Sequence, residues 1–183
     1  LAILDGQSSR TPSSNTNPST SSNLSNLSTN TLSLGQPTRL AGTKGKNHLN
    51  FIQINTNKAK RATDDLVIFA KKFGNPIALV QEPYVNGKNI IPSPASELKV
   101  FATSDRIKRP RACIYYHKCL QNKLWFMDSL TTGDCTTIQT KIDNTNVVLV
   151  SCYMDRLDPE CPPIAFRNAV EYAHRNNMAF IAG

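Results

Sequence analysis

No stretch of this 183-residue chain is apolar for long enough to cross a bilayer, and the opening LAIL is too short for the core of a secretory leader. No C-x-x-C pair occurs, and the five cysteines (Cys113, Cys119, Cys135, Cys152 and Cys161) are odd in number. That argues against a disulfide framework. The cysteines read as reduced residues of apolar runs, as in a nuclear or cytoplasmic (intracellular, reducing) protein. Cys113, His117 and Cys119 would share one strand face, but Cys113 and His117 would then lie roughly 13 Å apart, too far to hold one zinc. Internal repeats are missing, which sets aside solenoids and propellers. Charge is scarce in residues 7–34, which are mostly Ser, Thr, Asn and Pro with isolated leucines. Such a segment has too little apolar surface to offset the entropy of ordering it. The expected organisation is a disordered Ser/Thr/Asn-rich tail over 1–47 and a globular domain over 48–183.

The formal net charge is +8. An excess of this size favours polyanionic partners, because each Lys or Arg near a phosphate releases condensed counterions. Nucleic acid is the first such partner and an anionic membrane surface the second; no membrane-embedded part is expected. Since the chain starts with Leu rather than Met, and its last apolar run stops at Gly183, it is expected to be a fragment of a longer reading frame.

From Leu49 the pattern changes to that of folded protein. Leu49, Phe51, Ile52 and Ile54 form an apolar strand that ends at Asn55-Thr56-Asn57. From Lys58 the apolar positions take helical spacing, with Ala59, Ala62, Leu66, Phe69, Ala70 and Phe73 on one side. Gly74 and Asn75-Pro76 stop that helix. A fully apolar strand follows at 77–80, then Gln81-Glu82-Pro83 and a long loop to about residue 94. Further strands are expected at 98–103, 112–117, 124–128, 136–142 and 147–153, with a hairpin loop at Asp143-Asn144-Thr145-Asn146. Pro162-Pro163 opens a second helix to about residue 176, and 179–182 begins another strand. This order suggests a sheet carrying helices on one face and needing a second layer on the other, a layer that a chain ending in mid-strand would leave unbuilt.

Three polar residues stand where apolar strands end: Asn55, Glu82 and Tyr153. Strand ends can bring side chains together on one rim while the backbone stays rigid. A carboxylate beside an amide suits a hard divalent cation, since Mg²⁺ takes few protein oxygens and keeps several waters. The plainer alternative makes Glu82 an exposed loop residue and Asn55 a turn former or helix cap.

Taken in order, FIQINTN (51–57), KAKRATDDL (58–66), IALVQEPY (77–84) and VSCY (150–153) resemble motifs of the endonuclease/exonuclease/phosphatase superfamily. The QEPY form and the stretch PPIAFRNAVEYAHRNNMAFIAG (162–183) are most similar to the apurinic-like endonuclease domains of R1-like non-LTR retrotransposon polyproteins. The resemblance implies a partial four-layer α/β sandwich, about the first half of such a domain. It implies Mg²⁺ (or Mn²⁺) as cofactor, with Glu82 as principal metal ligand, Asn55 as a second ligand gripping the same cation beside the scissile phosphate, and Tyr153 approaching the phosphate; Asn57 is the second choice in the first motif. The implied partners are double-stranded DNA, nicked at a target site to prime reverse transcription, and a downstream reverse transcriptase domain of the same polyprotein.

Two departures stand out. The family often has a phosphate-binding asparagine shortly after that tyrosine, where this chain reads Tyr153-Met154-Asp155-Arg156-Leu157; Arg156 is the candidate phosphate contact there. The Asp-x-Asn that positions the attacking water and the later Ser-Asp-His do not occur within the 183 residues, so the chain alone is expected to be inactive. Neither His117 nor His174 takes their place. Arg106, Lys108, Arg109 and Arg111 cluster around Pro110, either as a solvated loop or as a grip on DNA phosphates. The competing functions are a non-catalytic nucleic-acid-binding remnant and a superfamily member acting on another phosphoester, such as a repair nuclease or an inositol phosphatase.

Overall fold

The computed structural model describes Leu27–Ser28 and residues 49–73, 76–105 and 108–183. The expected helix stop at Gly74 and Asn75 and the candidate phosphate contact Arg106 lie outside the described residues. So does the expected disordered tail, apart from β1 (Leu27–Ser28). This two-residue strand pairs antiparallel with β2 (Phe51–Asn55), Leu27 opposite Ile54.

One helical crossover, α1 (Lys60–Phe73), joins β2 to β3 (Ile77–Gln81), and the two strands lie parallel with Phe51 opposite Ile77 and Asn55 opposite Gln81. A helix is the usual link between parallel neighbours because the chain must return to the starting edge. β4 (Leu98–Phe101) and β5 (Ala112–His117) complete a five-stranded sheet ordered β1-β2-β3-β5-β4. The second sheet is ordered β6-β7-β8-β9, from β6 (Leu124–Phe126), β7 (Cys135–Ile142), β8 (Thr145–Cys152) and β9 (Ala179–Ala182). β7 and β8 are joined at Asp143 and Asn144, both with positive φ (45° and 68°). Two-residue hairpins favour that backbone, and Asn and Asp tolerate it better than most residues.

The expected strand at 124–128 stops at Phe126, because a 3-10 turn at Asp128–Leu130 takes over. Another 3-10 segment, Lys118–Lys123, is begun by His117, whose Nδ1 accepts the Cys119 N–H at 3.3 Å. Cys113 is fully buried on the other side of the sheet from this turn's apolar anchor Leu120.

Side-chain alternation sorts the core into three clusters. Ile77 and Leu79 of β3 and Ile114 and Tyr116 of β5 meet Ile138, Val147 and Leu149 of the second sheet, so the two sheets pack face to face. The intervening residues Ala78, Val80, Cys113 and Tyr115 point the opposite way and pack with Leu66 of α1. Likewise Val148, Val150 and Cys152 cover Ala165, Ala169 and Ala173 of α2 (Ile164–Arg175). The layers run α1, first sheet, second sheet, α2. This is the four-layer α/β sandwich that the resemblance implies, whereas the residue pattern taken alone points to helices on one face over an unbuilt layer. Apolar spacing tells which side of a helix is buried, but not which face of which sheet buries it. Near one edge Phe101 stacks on both Tyr116 (4.5 Å between centroids) and Phe126 (5.3 Å), tying the sheets together through offset aromatic contact.

Candidate active site

In an extended strand Asn55 belongs to the face of Phe51 and Gln53, whereas continued alternation would send Glu82 to the face of Ala78 and Val80. The two side chains nevertheless meet, Asn55 Nδ2 donating to Glu82 Oε2 at 3.2 Å. The reason is local. Glu82 has a φ of 47°, which ends the extended run immediately after β3. A left-handed conformation at a non-glycine residue stores about 1–3 kcal/mol and persists only where neighbours over-determine it. Here they do: the Glu82 N–H donates to Arg111 O (2.7 Å), and its carbonyl accepts from the Lys58 N–H (2.7 Å) and the Thr56 hydroxyl (2.7 Å). Thr56 is buried.

Asn55 is equally constrained. The Asn57 N–H can only donate, and it does so to Asn55 Oδ1 at 2.8 Å, which leaves the amide nitrogen to face the Glu82 carboxylate. Asn55 therefore presents a donor to Glu82 and commits one lone pair of its oxygen to its own turn. The other carboxylate oxygen, Oε1, lies 3.1 Å from Lys58 Nζ. The Glu82 side chain is 14% exposed and that of Lys58 49%. Asn57 and Lys58 also have positive φ, 46° and 60°, so three left-handed residues crowd one corner.

Tyr153 reaches the same rim through Arg111, the residue whose carbonyl holds the Glu82 N–H. The Arg111 guanidinium lies over the Tyr153 ring, 4.6 Å from its centroid. It donates from Nε (2.5 Å) and Nη2 (2.8 Å) to the two oxygens of Asp134, and from Nη1 to Asp155 at 3.3 Å. The Tyr153 N–H donates to Asp134 O at 2.8 Å. The hydrogen bond to Asp134 outweighs partial burial and holds the Arg111 proton more firmly than usual. Arg111 thus differs from its neighbours in the basic cluster: Lys108 and Arg109 are exposed, whereas Arg111 is engaged with two carboxylates. A cleft of about 620 Å³ opens beside it, lined by Lys108, Arg109, Thr132, Asp134 and Asp158 among others. Arg156 is exposed on the loop after β8, and His174 is exposed on α2.

Between the sheets, Gln81 follows the inward face of Ile77 and Leu79. It is 8% exposed, and its Nε2 has no hydrogen-bond partner among the described residues. Gly183 packs on the same face, so closely that a Cβ there would come within 2.9 Å of Gln53 and 3.1 Å of Leu79.

The arrangement is one shielded carboxylate at a strand end, steered by an amide and neutralised by an ammonium. Among the described residues no group of three or more His, Cys, Asp or Glu is placed to hold a metal ion. That donor set is too poor for zinc, which takes about three or four nitrogen, sulfur or carboxylate ligands from the protein, or for calcium, which takes about six to eight oxygens. It fits Mg²⁺, which binds through one or two carboxylates and keeps its waters. Sequence reasoning missed Lys58, Thr56, Asp134 and Asp155; the turn-forming run Asn55-Thr56-Asn57-Lys58 was the only signal for the first two.

No protein-family profile matches the chain, and no curated protein is found to resemble it. Among solved structures, the fold is similar to that of the endonuclease domain of TRAS1, a telomere-specific non-LTR retrotransposon, with a TM-score of 0.55 and 22% sequence identity. The match covers 73% of this chain and 56% of that one, so the chain spans just over half the length of the domain it resembles.

Proposed function

We propose that residues 48–183 are part of a metal-dependent endonuclease domain that cleaves a phosphodiester of double-stranded DNA, in the manner of a retrotransposon nicking its target site. The observation that carries the reading is the contact of Asn55 with Glu82 across parallel strands, maintained by a strained backbone at the rim of an endonuclease-like fold. Strain kept at a polar strand end serves placement of a group, since it lowers stability.

In this proposal Glu82 holds Mg²⁺ or Mn²⁺, with Asn55 fixing the direction of the carboxylate. The cation supplies neutralisation of charge developing on a phosphoryl oxygen. Tyr153, held under Arg111, is assigned the approach to the phosphate. Lys108, Arg109 and Arg156, all exposed, contact the DNA backbone, a role that supplies affinity without reading sequence. No residue here is assigned to activating water or protonating the leaving oxygen. The 183-residue chain is therefore expected to bind metal and DNA without nicking. A following reverse transcriptase domain and a nuclear or cytoplasmic setting belong to the same proposal.

The test has two parts. With Mg²⁺, a supercoiled plasmid should stay intact in the presence of this chain, and EDTA-sensitive nicking would contradict the division of roles. In a longer chain supplying Asp-x-Asn and Ser-Asp-His, nicking should appear and be lost in Glu82→Gln; nicking that survives the substitution would sink the assignment of Glu82. Replacing Lys108 and Arg109 with Ala should lower the salt slope of DNA binding by roughly one to two units, as expected for two lost phosphate contacts. An unchanged slope would reject that interface.

A further inference from the structure

Among the described residues, Lys58 is the cation that touches the proposed metal ligand. Its ammonium lies 3.1 Å from Glu82 Oε1, and its own N–H donates to the Glu82 carbonyl at 2.7 Å. Lys58 thus holds the same residue by backbone and by side chain. The backbone hold explains how a lysine comes to adopt a φ of 60°, a conformation for which it has no intrinsic preference. With Asn55 on Oε2 and Lys58 on Oε1, both oxygens of the carboxylate are occupied and its charge is balanced.

A divalent cation on the same carboxylate oxygen drives the ammonium off, because the repulsion between a double and a single positive charge exceeds what the ammonium gains from one negative charge at a similar distance. Asn55 poses no such conflict, being neutral and seated on the other oxygen. Of the two contacts, the one to Lys58 is the one a metal must displace. The side chain can leave readily: it is half exposed, on a flexible four-carbon stem, whereas its backbone stays tied to Glu82.

We propose that Lys58 is a built-in substitute for the metal: its ammonium holds and neutralises Glu82 when no divalent cation is present, and gives up Oε1 when one arrives. Lys58 thereby sets the metal affinity of the site, and the freed ammonium remains tethered at the rim, available to an anionic group brought there by the metal. This inference rests on the reading of Glu82 as the metal ligand.

The experiment is a titration of the full 183-residue chain with Mn²⁺ alone, followed by calorimetry or by electron paramagnetic resonance of the free ion. Lys58→Met should bind about fivefold more tightly than the unaltered chain, the upper end of what an exposed ion pair is worth. Lys58→Arg, which restores a cation, should return toward the original affinity, and Glu82→Gln should abolish the site. Equal affinity in Lys58→Met and the unaltered chain, with Glu82→Gln still defective, overturns the inference and leaves the metal reading intact. Binding that does not depend on Glu82 overturns both. A readout independent of the substitutions is the reductive methylation rate of Lys58, which should rise when Mn²⁺ is added to the unaltered chain. No change in that rate while Mn²⁺ binds at Glu82 likewise overturns the inference. Thermal unfolding followed by circular dichroism verifies that each variant is folded.

Discussion

Lys58 and Arg111 are two cations on one rim, each against a carboxylate, and they are built in opposite ways. Arg111 uses a planar fork on both oxygens of Asp134, adds Asp155, and is covered on one side by the Tyr153 ring. Its partners come from 23 and 44 residues further along the chain, so the contact closes loops from β5, β7 and β8 upon one another. Lys58 makes a single contact to one oxygen of Glu82 from a half-exposed side chain. Arg111 sits in ordinary surroundings for a structural ion pair, whereas Glu82 and Lys58 sit on left-handed backbone. The difference separates a fastening, which contributes stability, from a looser contact that, in the proposal made above, keeps a carboxylate ready for another cation.

If that distinction is real, substitution should reveal it in order of size. Arg111→Ala leaves two carboxylates facing each other without their shared donor and should lower unfolding stability in urea by about 2 kcal/mol. A loss below about 0.5 kcal/mol would make Arg111 as dispensable as an ordinary surface charge. Arg111→Lys keeps the charge and removes the fork, so about 1 kcal/mol of that loss should remain. Full recovery of stability would mean that charge alone mattered. Glu82→Gly and Glu82→Ala lose the same carboxylate contacts, but only glycine relieves the strain of a φ of 47°, so the Gly variant should be the more stable of the two by about 1 kcal/mol, with Mn²⁺ binding eliminated in both. Equal unfolding midpoints in the Gly and Ala variants would show that the backbone there is not strained. Lys58→Ala should change stability by less than about 0.5 kcal/mol, because an exposed single pair contributes little.

Much of the fold was legible because burial on both faces writes an uninterrupted apolar run. IALVQ gave β3, and VSCY closed a strand whose end proved to be Cys152. The convergence of Asn55 and Glu82 followed from strand ends and from the family resemblance, although simple alternation would have separated the two. Lys58 was hidden because a turn sequence announces a change of direction without announcing where a long side chain will come to lie. Arg111 was grouped with Lys108 and Arg109 because charge proximity along the chain looks the same whether or not a partner waits elsewhere. Only β5 beginning at Ala112 sets it at the rim, where Asp134 and Asp155 arrive from the second sheet. The opposite placement of α1 and α2 was hidden for a similar reason: the layer a helix covers is decided by tertiary pairing.

The parallel register of β2 on β3 carries one more implication, for how such a sequence can change. Asn55 stands opposite Gln81 only because it lies four positions after Phe51, the partner of Ile77. Exchanging one aliphatic residue for another at Ile52 or Ile54 leaves that count untouched, whereas deleting a single residue between Phe51 and Asn55 would bring Thr56 to the rim and turn the strand residues beyond the deletion to the wrong layer. The tract should therefore tolerate broad drift in identity and almost none in length.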